Sequence, residues 1–173
     1  MKFCLFMVTA LLLCLTPQAQ AKRAPNLKLK DLAGNTHKIS DLRGSIAVIN
    51  FWATWCAPCR DELPLVSRLS EEYGGKKVRF IAVSADGAKD RAKVDQFLSH
   101  NHVALEIWVG ADVDMMESAG LGNVFPATLI LDEQGEIVTR VMGEAREEDI
   151  RKAVDWLLGG KAGAPPTPSI KRY

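Results

Sequence analysis

Short apolar runs alternate with longer amphipathic stretches along most of this chain. Residues 46–51 and 78–83 are almost wholly apolar, which is typical of strands that are buried on both faces of a sheet. A helix is predicted between them, from just after Cys56 to about Tyr73, where Gly74-Gly75 ends it. Strand, helix and strand in this order predict a βαβ unit at the centre of an α/β domain.

The pattern continues on both sides of this unit. Two short runs at residues 27–32 and 37–39 flank Ala33-Gly34-Asn35, so a hairpin is predicted at the start of the domain. The remaining predicted elements are a helix over 89–100, a strand over 103–109, a short helix over 112–119, a hairpin of strands 127–132 and 136–141, and a helix over 147–158. Together they predict a mixed central sheet flanked by helices, with an N-terminal β-hairpin and an extra central αβ insertion.

The first 21 residues have the features of a secretory signal peptide. A basic start is followed by an apolar run over residues 3–15, and Ala19-Gln20-Ala21 forms a small-x-small cleavage site. The apolar run is shorter than the roughly twenty residues that a membrane-spanning helix needs. We therefore predict export, with cleavage after Ala21, and an extracytoplasmic or periplasmic location.

Composition limits the partners of the exported chain. Removal of the signal takes away Lys2, its only charged residue, and leaves 21 basic and 21 acidic residues. This balance gives no electrostatic reason to expect binding to nucleic acid or to a membrane surface. About 150 residues suit one domain, predicted over 22–159. Residues 160–173 are predicted to be a flexible tail, because their Pro-rich composition buries too little apolar surface to fold.

Cys56 and Cys59 are the chain's main chemical signal. They are the only thiols outside the signal, and they follow a buried strand at the start of a helix. Two thiols at i and i+3 can close a short disulfide or cycle between disulfide and dithiol. A zinc site would need about four ligands, and the three histidines lack finger-like spacing. A CxxC beside a βαβ pattern favours redox cycling over a fixed disulfide, and no metal or cofactor is expected.

The position of Cys56 at a helix start predicts its reactivity. Unpaired amide hydrogens and the helix dipole favour a negative charge there, so Cys56 is predicted to be the attacking thiolate. Cys59, one turn further along, is predicted to be the resolving thiol that releases the reduced substrate. Ala57-Pro58 between them carries no ionisable group. This favours a reducing potential over the value of about −120 mV found in a strong oxidant.

Three segments resemble the exported thioredoxin-like reductases of the TlpA/ResA type. These segments are FWATWCAPCRDELP over 51–64, Phe125-Pro126 before a strand, and the hairpin LILDEQGEIV over 129–138. The resemblance covers roughly residues 27–158 and implies a thioredoxin-like fold with thiol–disulfide exchange outside the cytoplasm. Members commonly reduce apocytochrome c or other oxidised cysteines with electrons from a membrane thiol carrier. The resemblance thus implies a disulfide-bearing protein substrate and a membrane electron donor, and we expect a monomer.

The same resemblance gives Glu62 a role. Residues 56, 59 and 62 step by three and so share one helix face. The matching Glu of the ResA-type motif is thought to take the proton from the resolving thiol, which is Cys59 here. The competing interpretation is a solvated helix charge like its neighbour Asp61. Thioredoxin itself places an Asp on the preceding strand, where this chain has Asn50.

The resemblance also predicts a substrate-binding surface. Pro126 is expected opposite the motif with a cis peptide bond, which would expose the backbone of Phe125 to an extended substrate segment. The competing interpretation is an ordinary trans proline at a strand start. Trp55 is predicted to shield the cysteine pair and to offer an apolar contact, with core packing as its alternative.

Three other functions remain open at this point. A copper chaperone on a related fold would use a wider cysteine spacing and a histidine. A peroxidase of the peroxiredoxin type would use one activated cysteine, with Thr54 two residues before Cys56, although Cys59 is close for a resolving partner. A purely structural disulfide module would resist physiological reductants.

Overall fold

The computed structural model describes residues 23–172, so the predicted signal peptide lies outside the described residues. The strands are β1 (Lys28–Asp31), β2 (Thr36–Lys38), β3 (Ile46–Trp52), β4 (Val78–Ser84), β5 (Glu106–Val109), β6 (Ala127–Leu131), β7 (Ile137–Gly143) and β8 (Ser169–Arg172). The helices are α1 (Ala57–Glu72), α2 (Arg91–His100), α3 (Val113–Ser118) and α4 (Glu147–Leu158). Short 3-10 turns cover Ile39–Leu42 and Ala88–Asp90.

All these strands form one mixed sheet in the order β2-β1-β5-β4-β3-β6-β7-β8. The central strands β3, β4 and β5 are parallel, while β6 runs antiparallel to β3. The N-terminal hairpin joins the sheet through an antiparallel pairing of β1 with β5. The predicted fold class is therefore confirmed, including the hairpin and the central αβ insertion.

The strand β3 is the centre of the core, because every one of its residues is buried. Val48 packs with side chains of α1 and α4 on one face of the sheet. Ile49 points to the opposite face, where Met116 of α3 is part of the same cluster. Trp52, at the end of β3, packs against α1 and α2. The sheet is thus covered on both faces, and β3 delivers the chain to the start of α1.

The C-terminal tail differs from the sequence prediction. Residues 169–172 form β8, which pairs in parallel with β7 at the edge of the sheet. The Arg172 guanidinium donates to both carboxylate oxygens of Asp149 at 2.8 Å, and the Thr139 hydroxyl donates to the Thr167 carbonyl oxygen at 3.2 Å. The prediction of a flexible tail was wrong because the open edge of β7 supplies backbone partners that local composition does not reveal.

Smaller differences concern the ends of elements. The strand β5 begins at Glu106 instead of residue 103. Within residues 23–172, none of the helices has the length and apolar character needed to cross a bilayer.

Candidate active site

The cysteine motif sits where β3 passes into α1. The Cys56 amide donates to the Ala53 carbonyl oxygen at 3.2 Å, which closes a tight turn after the strand. Cys56 is the N-cap of α1, and its sulfur accepts the Cys59 amide hydrogen at 3.3 Å. Pro58 lies in the first turn, where no intrahelical donor is lost. The Cys56 sulfur therefore lies at a helix start and accepts an amide hydrogen there, and both features favour a thiolate.

Cys56 and Cys59 are joined in a disulfide. Cys56 retains 7% of its surface exposed, while Cys59 is completely buried behind it. A second molecule can therefore approach the pair only from the Cys56 side. Disulfide exchange needs direct access of the attacking sulfur, so this arrangement favours Cys56 as the point of attack.

An aromatic pair, one ring exposed and the other partly buried, borders the disulfide. Trp55 is 65% exposed, which rules out the interpretation of this side chain as core packing. Its ring meets that of Phe125 edge-on, with centroids 5.6 Å apart. Phe125 also packs against the cluster that holds both cysteines. A large aromatic side chain left in water beside a reactive group, as Trp55 is, is typical of a protein contact surface.

The peptide bond between Phe125 and Pro126 is cis, as the sequence analysis predicted. Pro126 immediately precedes β6, and its carbonyl oxygen accepts the Gly143 amide hydrogen at 2.9 Å. Within residues 23–172, the backbone N–H and C=O of Phe125 have no hydrogen-bond partner. Both groups are free to pair with an extended segment of another chain.

Glu62 is buried, with only 2% of its surface exposed, so the interpretation as a solvated helix charge was wrong. Asn50 Nδ2 donates to Glu62 Oε1 and to Thr128 Oγ1, both at 3.0 Å. The Thr128 hydroxyl lies 3.4 Å from Glu62 Oε1. No hydrogen-bond partner for Glu62 Oε2 or Asn50 Oδ1 occurs in the described part of the chain. The carboxyl group is thus only partly satisfied.

This environment raises the pKa of Glu62 to about 8. Burial is the main cause, because it penalises the charged form, and the charge of Glu144 adds to it. Three neighbours oppose the shift in pKa. The Ala145 backbone amide lies nearby without meeting the geometry of a hydrogen bond, and Thr128 and Asn50 act through their hydrogen bonds. This pKa is close to that of an ordinary thiol, which is about 8.5, so the transfer of a proton from a thiol to the carboxylate would be nearly balanced in free energy.

Sequence reasoning missed two polar groups around the motif. Thr128 is a polar residue in an otherwise apolar strand, and that contrast was the available signal. Asp86 follows β4 and is buried, yet both of its carboxylate oxygens bind Thr54, which lies two residues before Cys56. Its signal was a carboxylate two residues after the end of a buried strand. Within the described residues, no three His, Cys, Asp or Glu side chains converge as metal ligands would.

A thioredoxin-like sheet with a disulfide-forming CxxC at the start of its first long helix defines a thiol–disulfide oxidoreductase. The model of the AhpC/TSA family matches residues 21–140. The chain belongs to this family, and its predicted likeness to ResA-type proteins is confirmed by comparison with known relatives.

These relatives support the class at the level of sequence and fold. The chain is 30% identical over 129 residues to the thiol-disulfide oxidoreductase ResA of Bacillus thuringiensis strain Al Hakam, covering 75% of this chain and 73% of that protein. The thioredoxin domain of a Bacteroides vulgatus thiol-disulfide oxidoreductase is 25% identical, with a TM-score of 0.68 over 81% of this chain and 98% of that one. A thiol:disulfide interchange protein of Chlorobium tepidum TLS is 20% identical and shares the fold, with a TM-score of 0.68 over 82% of this chain and 99% of that one.

Proposed function

We propose that this protein is an exported reductant of disulfides in other proteins. The observation that carries the proposal is the disulfide itself, with Cys56 reachable beside the exposed ring of Trp55 and the partly buried ring of Phe125, and Cys59 buried behind it. A structural disulfide would have no need of a contact surface at its accessible sulfur.

The reaction begins when the Cys56 thiolate attacks one sulfur of a substrate disulfide. A mixed disulfide forms, and the other substrate sulfur leaves as a thiolate that takes up a proton. Cys59 then loses its proton and attacks the Cys56 sulfur, which releases the second substrate thiolate. Two electrons pass from the enzyme dithiol to the substrate, and the enzyme ends in the disulfide state. A membrane dithiol donor returns two electrons to Cys56 and Cys59.

Glu62 is proposed as the group that accepts the Cys59 proton. It lies one helical turn beyond Cys59, and its buried carboxyl has a pKa of about 8. Because this value is near that of a thiol, the carboxyl can take the proton during resolution and release it afterwards. Asn50 and Thr128 hold Oε1 in place, while Oε2 has no partner among the described residues.

The substrate would bind across Trp55, Phe125 and Pro126. The free backbone groups of Phe125 support pairing with an extended substrate segment, and the two rings supply apolar contact. Ala57-Pro58 adds no charge that would stabilise the thiolate further, which supports a reducing potential near the value of about −270 mV found in thioredoxin.

The sequence also supports a proposed location and electron source for the protein. The proposed signal at 1–21 would place the domain outside the cytoplasm, where the surroundings oxidise thiols. We propose that it acts there as a monomer. A reductant there needs a resupply of electrons, and this requirement supports the membrane thiol donor. The resemblance to TlpA/ResA-type proteins supports cytochrome c maturation as the setting.

Two measurements test the proposal on the protein without residues 1–21. Equilibration of Cys56 and Cys59 with glutathione should give a potential on the thioredoxin side of the known range, and a value above about −150 mV would contradict a reductant. Cys59→Ser should trap the substrate as a mixed disulfide on Cys56, and Cys56→Ser should trap nothing through Cys59. Stoichiometric copper binding without insulin reduction would favour the copper chaperone, and peroxide turnover would favour the peroxidase.

A further inference from the structure

Asp86 forms a compact set of hydrogen bonds on the N-terminal side of the cysteine motif. Its Oδ2 accepts the Thr54 backbone amide hydrogen at 2.9 Å, and its Oδ1 accepts the Thr54 hydroxyl hydrogen at 2.6 Å. The Ser84 hydroxyl donates to Oδ2 at 2.8 Å. Asp86 is only 6% exposed, so these bonds are shielded from water.

The carboxylate is itself anchored to the middle of the sheet. The Asp86 amide donates to Ser84 Oγ at 2.9 Å, and Ser84 is the last residue of β4. The Ser84 carbonyl oxygen accepts amide hydrogens from Gly110 and Ala111 at 3.0 and 3.1 Å. Asp86 therefore links the segment that carries Cys56 to the rigid strand β4 by hydrogen bonds.

Burial of a carboxylate is costly unless donors compensate for it, and charge-assisted hydrogen bonds are stronger than neutral ones. Both oxygens of Asp86 receive donors, and two of these donors come from Thr54. Thr54 lies next to Trp55 and two residues before Cys56, in the turn closed by the Cys56 amide bond to Ala53. A shift of this segment would move both the contact ring and the reactive sulfur.

We propose that Asp86 is a positioning residue, which fixes the segment of Thr54, Trp55 and Cys56 so that the sulfur caps α1 and the indole faces outward. The proposal rests on the proposed function, because it assigns a support to the same site. The hydrogen-bond partners of Asp86 are Thr54 and Ser84, so its proposed effect on the cysteine motif passes through Thr54.

The experiment compares Thr54→Val, which keeps the backbone bond and removes the hydroxyl bond, with Thr54→Ser, which keeps both. Asp86→Asn tests the carboxylate, since an amide nitrogen cannot accept a hydrogen bond. Asp90→Asn removes the same charge from a partly exposed carboxylate on the neighbouring turn, which pairs with Lys93 at 2.7 Å and makes no bond to Thr54.

Two readouts on the reduced, folded proteins separate positioning from stability. They are the rate at which Cys56 attacks a model disulfide and the pH profile of Cys56 alkylation. We expect Thr54→Val to slow the attack by about tenfold and to move the alkylation profile to higher pH, because misplaced reacting atoms lose rate steeply. Thr54→Ser should restore both, Asp86→Asn should match or exceed Thr54→Val, and Asp90→Asn should behave as the unchanged protein.

Unchanged rate and profile in Thr54→Val would overturn the proposal, as would a Thr54→Ser variant as slow as Thr54→Val. Thr54→Val decides the matter even if Asp86→Asn does not fold. If the unchanged protein fails to reduce any disulfide, the proposed function fails instead, and the two failures are therefore distinguishable.

Discussion

Replacement of Glu62 by Gln should make the oxidised protein more stable at neutral and alkaline pH. Glu62 is almost completely buried, and its pKa is raised from 4.5 to about 8, chiefly by burial. The folded protein thus binds the Glu62 proton more tightly than the unfolded chain does. The contribution of Glu62 to the free energy of unfolding is therefore greatest below pH 4.5 and falls as the pH rises towards 8.

The size of the effect follows from the same two values. At about 1.4 kcal/mol per pH unit, the interval from 4.5 to about 8 corresponds to a loss of about 5 kcal/mol above pH 8. Gln does not ionise, so Glu62→Gln avoids this loss while its carbonyl can still accept the Asn50 hydrogen bond. Between pH 5 and pH 8 its advantage over Glu should grow by about 3 to 4 kcal/mol.

Urea unfolding of the oxidised protein at several pH values between 5 and 9 measures this difference. The disulfide removes both thiols from the titration, so Glu62 dominates the change. Asp61→Asn provides the matched control, because Asp61 is the exposed neighbour on α1 and its variant should follow the unchanged protein. A constant difference in free energy between Glu62→Gln and the unchanged protein across this range would refute the reasoning.

Three further predictions concern activity and the sheet edge. Glu62→Gln should slow resolution by Cys59 by about a hundredfold and flatten the rise of this rate with pH towards 8, because the proposed base is lost. The lifetime of the mixed disulfide in quenched-flow samples measures the rate, and an unchanged pH profile would refute the role of Glu62 as proton acceptor. Trp55→Ala should raise the KM for a protein disulfide by about tenfold while the rate with a small disulfide stays constant, because an exposed contact ring is lost, and equal loss on both substrates would contradict this. Deletion of residues 162–173, which spares the ion pair of Lys161 with Asp132, should lower the free energy of unfolding by about 2 kcal/mol, because the β8 ladder and the ion pair of Arg172 with Asp149 are lost. An unchanged urea midpoint would show that β8 contributes nothing.

Much of the fold was predictable because its signals are local. The strands β3 and β4 are continuous apolar runs, and α4 has apolar residues at helical spacing between a charged start and two glycines, so its bounds at Glu147–Leu158 were predicted. The strand β8 gave no such signal. It forms because β7 offers a free edge about thirty residues earlier in the chain, and a partner strand at that distance cannot be inferred from composition.

Some features of the candidate site were likewise predictable from local sequence, and others were not. The cysteine pair and the cis bond before Pro126 follow from short motifs, and the helical step of three places Glu62 beyond Cys59. The burial of Glu62 does not follow, since it depends on β6 bringing Thr128, 66 positions after Glu62 in the chain, beside β3. The contact between Asp86 and Thr54 likewise depends on the parallel register of β3 and β4.

The two buried carboxyl groups next to the motif are suited to different tasks by their donors. Asp86 receives hydrogen bonds on both oxygens, so any movement of the carboxylate breaks several charge-assisted bonds at once, which suits it to hold a backbone segment still. Glu62 receives Asn50 on Oε1, and Oε2 has no partner in the described part of the chain, so one oxygen can accept a proton without the loss of a bond. The proposed support, Asp86, acts on the segment before Cys56, and the proposed proton acceptor, Glu62, follows Cys59 on α1. If the hydrogen-bond donors around the two carboxyl groups were exchanged, we expect the enzyme to lose both the fixed position of Cys56 and the proton transfer from Cys59.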